Sequence, residues 1–277
     1  MTRPLHHLRG HPHRYSLAEK CGFCSIILAP LLFFLSPRLA CWPLILFVAA
    51  CLLSPFFSGS SFFLPVISRG GSGWPWVSLT FDDGPDALST PPLLDFLRRH
   101  GLTATFFVNG DKARRLPDMV RQMARDGHLI GNHSMKHDNF LMFRGGKRVM
   151  AEIADTQNIL AELGIETKIF RPPVGIVTPR YAEAMAAFGL VLVTFRRRPR
   201  DLGNRRIKAL AAGILADIRG DDILLLHDAP PRQATIAAWL IELEALIAGI
   251  GARGLRVVPL DDLLGERLME VRSNADL

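Results

Sequence analysis

Short apolar runs alternate with longer mixed segments through most of the chain after residue 76. Seven of these runs, each five or six residues long, predict β-strands over 77–81, 103–107, 128–132, 167–171, 190–195, 222–227 and 254–258. The remaining segments predict helices over 89–100, 117–126, 147–164, 179–188, 204–219, 232–249 and 260–268. Strands that alternate with helices predict an α/β fold with a parallel sheet, and the pattern leaves open whether that sheet is open or closed into a barrel.

The N-terminal region has a different pattern, because residues 21–57 are apolar and carry a single charge, Arg38. Residues 39–57 supply 19 uncharged positions, close to the ~20 that a helix needs to span a bilayer. Residues 21–35 supply only 15 and include Pro30, so they form a marginal second span. We therefore expect a membrane segment over 21–57 with either one span or two.

The chain thus divides into five parts. They are a basic tail with four histidines (1–20), the membrane segment (21–57), a linker rich in Gly, Ser, Phe and Pro (58–76), the α/β domain (77–265) and a C-terminal tail (266–277). The positive-inside rule predicts a cytoplasmic N-terminus, so one span would export the domain and two would return it to the cytoplasm. A cleaved signal peptide fits less well, since the segment is long and lacks a clear cleavage site. We expect attachment to a bacterial inner membrane, with the periplasmic side slightly favoured.

The charge distribution argues against a nucleic-acid partner. The formal net charge is +7, but residues 1–76 carry six basic residues and one acidic residue, whereas residues 77–277 carry 27 basic and 25 acidic residues. Most of the excess therefore lies outside the predicted domain. All four cysteines lie in the apolar region, and their one CxxC pair has no second pair, so a zinc or redox site there is not expected.

Residue types suited to catalysis recur where the predicted strands end. They are Asp82 and Asp83 after the first strand, His133 and His137 after the third, Arg171 at the end of the fourth, Asp201 after the fifth, and His227 with Asp228 at the end of the sixth. The carboxyl ends of parallel strands lie on one face of an α/β fold, where active sites form. The sequence therefore predicts one active site built from these ends.

The first and third strand ends together suggest a metal site. His133 and His137 are spaced i, i+4, so on a helical turn both imidazoles lie on one side. With one aspartate they form a set that suits Zn²⁺ with a position open for water. The same set fits a non-haem Fe(II) site, so an oxygenase is a competing interpretation at this point. Because adjacent carboxylates repel each other, one of Asp82 and Asp83 on a metal and the other acting as a base would resolve the conflict.

Two further strand ends offer groups for acid–base chemistry. Arg171-Pro172-Pro173-Val174-Gly175 forms a rigid loop whose backbone N–H groups suit an oxyanion, while Arg171 suits a carboxylate base. His227 follows an apolar run, and a histidine there beside a metal suits a general acid.

Four motifs in this order resemble the polysaccharide deacetylase family that shares the NodB homology domain (carbohydrate esterase family 4). They are Thr-Phe-Asp-Asp-Gly-Pro at 80–85, His-Ser-x-x-His at 133–137, Arg-Pro-Pro at 171–173 and Leu-Leu-His-Asp at 225–228, and the resemblance covers about 77–264. It implies a deformed parallel (β/α)7-type barrel. It also implies metal-dependent hydrolysis of an N-acetyl, occasionally an O-acetyl, group on a sugar.

The resemblance also implies roles for individual residues. Asp83, His133 and His137 would bind a divalent metal, with Zn²⁺ as the first candidate. Asp82 would be the general base oriented by Arg171, and His227 the general acid tuned by Asp201. Pro173 and Val174 would line the substrate, with the Val174 backbone N–H facing the oxyanion where the family usually has Tyr.

The fourth motif departs from the family pattern. The family usually shows an Asp-x-x-Asp-Trp stretch, whereas this chain reads Arg198-Pro199-Arg200-Asp201-Leu202, without the first Asp and the Trp that helps wall the acetyl pocket. The same region is basic, and we expect Arg197 and Arg198 to meet an anionic substrate, although a solvated face is the plainer interpretation. The expected partners are the membrane and an N-acetylated glycan or lipid-linked sugar. The alternatives are hydrolysis of a non-sugar amide and an inactive glycan- or lipid-binding module.

Overall fold

The computed structural model describes residues 15–199 and 201–272, which include ten strands and ten α-helices. The strands are β1 Val66–Ile67, β2 Trp76–Asp82, β3 Thr105–Val108, β4 Leu129–Asn132, β5 Ile165–Thr167, β6 Ile169–Phe170, β7 Val191–Val193, β8 Ile223–His227, β9 Arg256–Val257 and β10 Met269–Val271. The helices are α1 Leu17–Phe33, α2 Pro37–Leu53, α3 Thr90–Arg99, α4 Gly110–Arg115, α5 Pro117–Arg125, α6 Gly146–Glu162, α7 Ala182–Phe188, α8 Leu210–Leu215, α9 Ile236–Ala252 and α10 Leu260–Leu264.

Eight of the strands form one parallel sheet, which confirms the predicted fold class. Seven follow the order β1-β7-β6-β4-β3-β2-β8, and β9 adds to β2. Two isolated bridges add to this sheet. Arg197, which follows β7, pairs with Leu224 of β8, and Arg69, which follows β1, pairs with Asp222 directly before β8. With these bridges the sheet curves into an irregular, half-closed barrel rather than an open plane.

Alternation along β2 decides which side chains reach the barrel interior. Val77, Leu79 and Phe81 belong to a large apolar cluster that also contains residues of α3, α5 and α9. The alternate positions, Ser78, Thr80 and Asp82, are buried on the opposite side of the strand. Asp82 therefore points into the barrel at the carboxyl end of β2, opposite Phe107 of β3 and His227 of β8.

The structure differs from the sequence-based prediction at the domain edges. β1 lies inside the predicted linker and pairs with β7, and β10 lies inside the predicted C-terminal tail and pairs antiparallel with β5. Helix α4 was not predicted, and α8 is shorter than the helix predicted over 204–219. Most of the predicted N-terminal tail (1–14), Arg200 and the last residues (273–277) lie outside the described residues.

The apolar N-terminal segment forms a helical hairpin of α1 and α2. Gly22 of α1 lies against the ring of Phe47 of α2, and the Ala18 N–H donates to the Phe62 carbonyl at 2.9 Å. The start of α1 therefore lies beside the chain that leaves α2. Within the described residues, one helix, Pro37–Phe56, is long and apolar enough to cross a membrane, with a mean hydropathy of 2.2 and none of that window buried. A signal sequence can have the same length and apolar composition, so this helix is a weak indication of a membrane anchor.

Candidate active site

The two adjacent aspartates at the end of β2 diverge because the chain turns between them. Asp82 is the last residue of the strand, whereas Asp83 has a φ of 72° and has left it. A positive φ is unusual for a residue other than glycine. The turn sends the two carboxylates to different partners.

Asp83 joins the two predicted histidines. One ligand atom from each of Asp83, His133 and His137 lies within 4.8 Å of the others. The Asp83 Oδ1 atom is 3.2 Å from His137 Nε2 and 3.7 Å from His133 Nε2. Asp83 Oδ1 is also buried without a hydrogen-bond partner among the described residues. A buried carboxylate oxygen without a donor is costly, so this atom fits a cation that the two imidazoles would share.

The tautomer of His133 suits the same assignment. Its Nδ1 atom lies 2.8 Å from the Arg171 carbonyl. Because a carbonyl can only accept a hydrogen bond, Nδ1 carries the proton, and Nε2 has its lone pair on the side of Asp83, where a cation would lie. Burial, assisted by His137, lowers the pKa of His133 to about 3, so its ring is neutral.

Lys112, which sequence reasoning missed, donates from Nζ to the Asp83 carbonyl at 2.6 Å and holds the turn after β2.

Asp82 is held by Arg171, as predicted from the sequence. The fully buried Arg171 guanidinium donates to Asp82 Oδ1 and Thr80 Oγ1, each at 2.7 Å. It also donates to the carbonyls of Val193 at 3.2 Å and Thr194 at 2.8 Å. Burial raises the pKa of Asp82, and the charge of Arg171 opposes that rise. The second oxygen, Oδ2, remains 3.7 Å from His133 Nε2 and faces the metal candidate.

His227 and Asp201 form the second predicted pair. The His227 Nδ1 atom lies 2.9 Å from Oδ2 of the buried Asp201. Burial lowers the pKa of His227, but the hydrogen bond and the charge of Asp201 outweigh it and raise that pKa above its ordinary value. The side-chain amide of Asn204 donates to the carbonyls of His227 and Ala229 and ties this loop to the end of β8.

The loop after β6, predicted to be rigid, has a strained backbone at Val174. Pro173 is buried, and Val174 is 44% exposed with a φ of 55°. A β-branched residue in this conformation is strained, and such strain clusters at functional sites. Eight non-glycine residues in the described part of the chain have a positive φ, and six of them lie in loops at this end of the barrel: Asp83, Ser134, His137, Val174, Leu202 and Asn204.

The arginines of the basic region around Arg198 differ in their contacts. Arg197 lies with its Nε 3.0 Å from Asp222 and its Nη1 3.8 Å from Asp217, so its guanidinium is occupied and we do not retain it as a substrate ligand. Arg198 is exposed and lies 5.8 Å from the centre of the Phe195 ring. The Phe195 ring is buried, and it packs against Gly175 and the guanidinium of Arg171. Phe195 is therefore an aromatic wall beside the Pro173–Gly175 loop, which sequence reasoning missed because it read this residue only as part of a strand.

Asp228 was noted in the last motif but given no role, and the structure supplies one. Its two oxygens accept from Ser89 Oγ at 2.8 Å and Thr90 Oγ1 at 2.6 Å, and a Cβ on Gly84 would lie 2.4 Å from it. Burial raises the pKa of Asp228 to about 6. Asp228 thus positions the turn after β2, and Gly84 is required there because no side chain fits.

Comparison with known proteins agrees with this geometry. The polysaccharide deacetylase family model matches residues 71–193, which include Asp82, Asp83, His133, His137 and Arg171 but not Asp201 or His227. A peptidoglycan-N-acetylglucosamine deacetylase of Bacillus cereus is 32% identical over 191 residues, covering 68% of this chain and 87% of the relative. A chitooligosaccharide deacetylase of Sinorhizobium fredii is 34% identical over 205 residues, covering 69% of this chain and 93% of the relative. The crystal structure of a peptidoglycan N-acetylglucosamine deacetylase superposes with a TM-score of 0.67 at 27% identity, covering 73% of this chain and 94% of that one.

Proposed function

Because the chain belongs to the polysaccharide deacetylase family, and is therefore a hydrolase of carbon–nitrogen bonds other than peptide bonds, we propose that it removes N-acetyl groups from an amino sugar in a metal-dependent reaction. The curated relatives support sugar N-deacetylation in general. The observation that carries the proposal is the buried Asp83 Oδ1 between two imidazoles, which has no hydrogen-bond partner among the described residues and has a base candidate and an acid candidate beside it.

In this proposal Asp83, His133 and His137 hold the cation. A bound divalent metal, with Zn²⁺ as the first candidate, would acidify a water molecule and polarise the acetyl carbonyl. The buried, neutral His133 offers its Nε2 lone pair without first having to lose a proton. Other divalent metals accept the same set of two imidazoles and one carboxylate.

The chain's own residues would then move two protons. Asp82 accepts the proton of the attacking water, and its raised pKa suits a general base that works near neutral pH. Arg171 keeps one oxygen of Asp82 occupied, so only the other oxygen is available to the water. The Val174 backbone N–H faces the developing oxyanion. His227, whose pKa is raised by its hydrogen bond to Asp201 against the effect of burial, donates its proton to the leaving amine.

Acetate release by the full-length chain from N-acetylated chito-oligosaccharides tests this assignment. We expect release that a chelator abolishes and added zinc restores. Asp82→Asn should lose about 100-fold or more in kcat, the contribution typical of a general base, while it keeps the bound metal. Metal-independent release, or full activity of Asp82→Asn, would refute the proposal. Retention of metal without release would instead favour a binding module.

We further propose that the hairpin attaches the domain to a membrane with its N-terminal tail and the domain on the same side. The bond from Ala18 to Phe62 supports this, because it brings both ends of the hairpin together. Residues 1–20 carry four of the five basic residues found before residue 58, so the positive-inside rule favours the cytoplasmic side. A hairpin in which both helices cross the membrane places the domain in the cytoplasm, whereas the sequence alone slightly favours the periplasm.

A further inference from the structure

The exposed apolar side chains of the domain concentrate around the active site. Within residues 58–199 and 201–272, eight large apolar residues are exposed. Five of them lie in loops that follow the carboxyl ends of β2, β4, β6 and β7: Leu88, Phe140, Phe143, Val174 and Leu202. Phe143 is 74% exposed and Leu88 70%. Exposed apolar residues clustered on one face mark an interaction surface rather than the ordinary scatter of single apolar residues. We call these five residues the apolar rim.

The helical hairpin joins the domain at this same end of the barrel. The Thr194 hydroxyl donates to the Ser58 carbonyl at 2.5 Å, and the Ser58 hydroxyl donates to the Phe195 carbonyl at 3.1 Å. Both contacts lie directly beyond the carboxyl end of β7. The backbone of Phe195 therefore binds the end of the hairpin, while its ring lines the site beside Arg171.

An open cavity of about 710 Å³ lies at this junction. Its walls come from the base of the hairpin, including Leu17 and Leu53, and from residues 56–62, and its charged lining residue is Arg196. The Arg196 side chain is exposed and makes no ion pair within residues 15–199 and 201–272. Ser54, also in the lining, has a buried hydroxyl without a hydrogen-bond partner among the described residues. The lining combines apolar side chains, serine hydroxyls and a guanidinium without an ion-pair partner among the described residues. This mixture suits the phosphate and first methylenes of a lipid.

Charge on the same face agrees with that ligand. The loop between β7 and α8 exposes five basic side chains that have no ion-pair partner in the described part of the chain: Arg196, Arg198, Arg205, Arg206 and Lys208. Basic clusters beside a membrane anchor are attracted to the anionic headgroups of the cytoplasmic leaflet. The combination of apolar rim, basic loop and hairpin junction fits a bilayer surface better than a soluble partner.

We propose that the active-site end of the barrel rests on the membrane surface, and that the substrate is an N-acetylated amino sugar carried on a lipid phosphate in that leaflet. The statement about substrate rests on the proposed deacetylase function, whereas the statement about membrane contact does not. Arg196 would hold the lipid phosphate in the junction cavity while the sugar extends to the metal site.

Membrane contact is tested by fluorescence on the full-length chain reconstituted in vesicles of phosphatidylcholine and phosphatidylglycerol. An environment-sensitive fluorescent amino acid is placed at Phe143 or, as a matched control, at Ile241, which is similarly exposed at 69% but lies on α9. We expect headgroup spin-labelled lipids to quench the probe at 143 and to leave the probe at 241 unquenched. Equal quenching at both positions, or none at 143, would overturn the membrane contact whether or not the protein is a deacetylase.

Substrate class is tested with Arg196→Glu on three N-acetylglucosamine compounds. They are a lipid-phosphate-linked sugar in vesicles, the corresponding soluble sugar phosphate, and a neutral chito-oligosaccharide. Loss of a charge-assisted contact should lower turnover of the lipid-linked compound about tenfold or more. Turnover of the neutral compound should be unchanged, which also shows that the variant is folded. An equal loss on all three compounds, or a loss confined to the soluble phosphate, would contradict the lipid assignment. If no compound is deacetylated by wild type, the proposed function fails while the quenching result still stands.

Discussion

At the scale of single residues, the site depends on two neighbouring aspartates whose carboxylates contact different groups. Asp82 keeps the strand conformation and meets the buried Arg171, whereas Asp83 adopts a positive φ and meets two imidazoles. Burial without a matching cation would leave two adjacent carboxylates competing for one proton. The separate partners fit the proposed roles, in which Asp82 is the base and Asp83 a metal ligand.

Replacing Asp201 should shift only the alkaline limb of the pH profile of kcat/KM, to lower pH. Asp201 raises the pKa of His227 through a hydrogen bond and its charge, so Asp201→Asn, which removes the charge and weakens the hydrogen bond, lowers that pKa. A general acid acts in its protonated form, which is lost as pH rises through its pKa. The alkaline limb of kcat/KM should therefore shift to lower pH, and the acidic limb, which we assign to Asp82, should stay. An unchanged alkaline limb would show that His227 is not the acid.

Replacing Arg171 should destabilise the protein even though lysine keeps the charge. The guanidinium makes four hydrogen bonds in a fixed planar geometry, and an ammonium group cannot reproduce them. We expect Arg171→Lys to lower the free energy of unfolding by about 3 kcal/mol in urea titrations. Arg98→Lys is the control, since Arg98 pairs with Asp95 at the surface and should change stability by less than about 1 kcal/mol. Similar effects of the two substitutions would refute the structural role given to Arg171.

At the scale of elements, the sequence predicts the sheet and the site well and the domain edges poorly. Runs such as 77–81 and 222–227 are long and apolar, so they identify β2 and β8, and the motifs at their ends then converge because parallel strands share one carboxyl face. β1 has only two residues within a stretch rich in Gly, Ser and Pro, and its position depends on pairing with β7. Local composition cannot reveal such a partner, nor could it show that Arg197 is held by Asp222.

Removing β1 should therefore weaken the domain. Val66 and Ile67 are buried, and they pair with Leu192 and Val193 of β7. A fragment that starts at residue 69 should unfold with about 3 kcal/mol less stability than one that starts at residue 58, given the apolar surface these two side chains bury. Urea midpoints of the two fragments measure the difference. Equal midpoints would mean that β1 is not part of the folded domain.

At the scale of the whole molecule, the helical hairpin meets the barrel at the end that carries the candidate active site. The contacts of Ser58 with Thr194 and Phe195 make that junction. A hairpin returns the chain to the side from which it entered, so the basic tail and the catalytic domain should share a compartment.

Reporter fusions at the C-terminus test this topology in bacteria. We expect a green fluorescent protein fusion to fluoresce and an alkaline phosphatase fusion to be inactive, because the first reporter folds in the cytoplasm and the second requires the oxidising periplasm. A fusion to a chain that lacks residues 15–35 is the control, since a single remaining span should reverse both signals. Phosphatase activity of the full-length fusion would place the domain in the periplasm and contradict the hairpin topology.

The central claim is that Asp83, His133 and His137 hold the metal on which deacetylation depends. The most direct test measures zinc content and acetate release together on the full-length wild type, His137→Ala and His100→Ala. His100 is a matched control, because its side chain is 26% exposed against 25% for His137 and it pairs with Glu244 outside the site. We predict one equivalent of zinc and acetate release for wild type and His100→Ala, and loss of both for His137→Ala. Wild-type protein that binds no metal, or His137→Ala that keeps both metal and activity, would contradict the account.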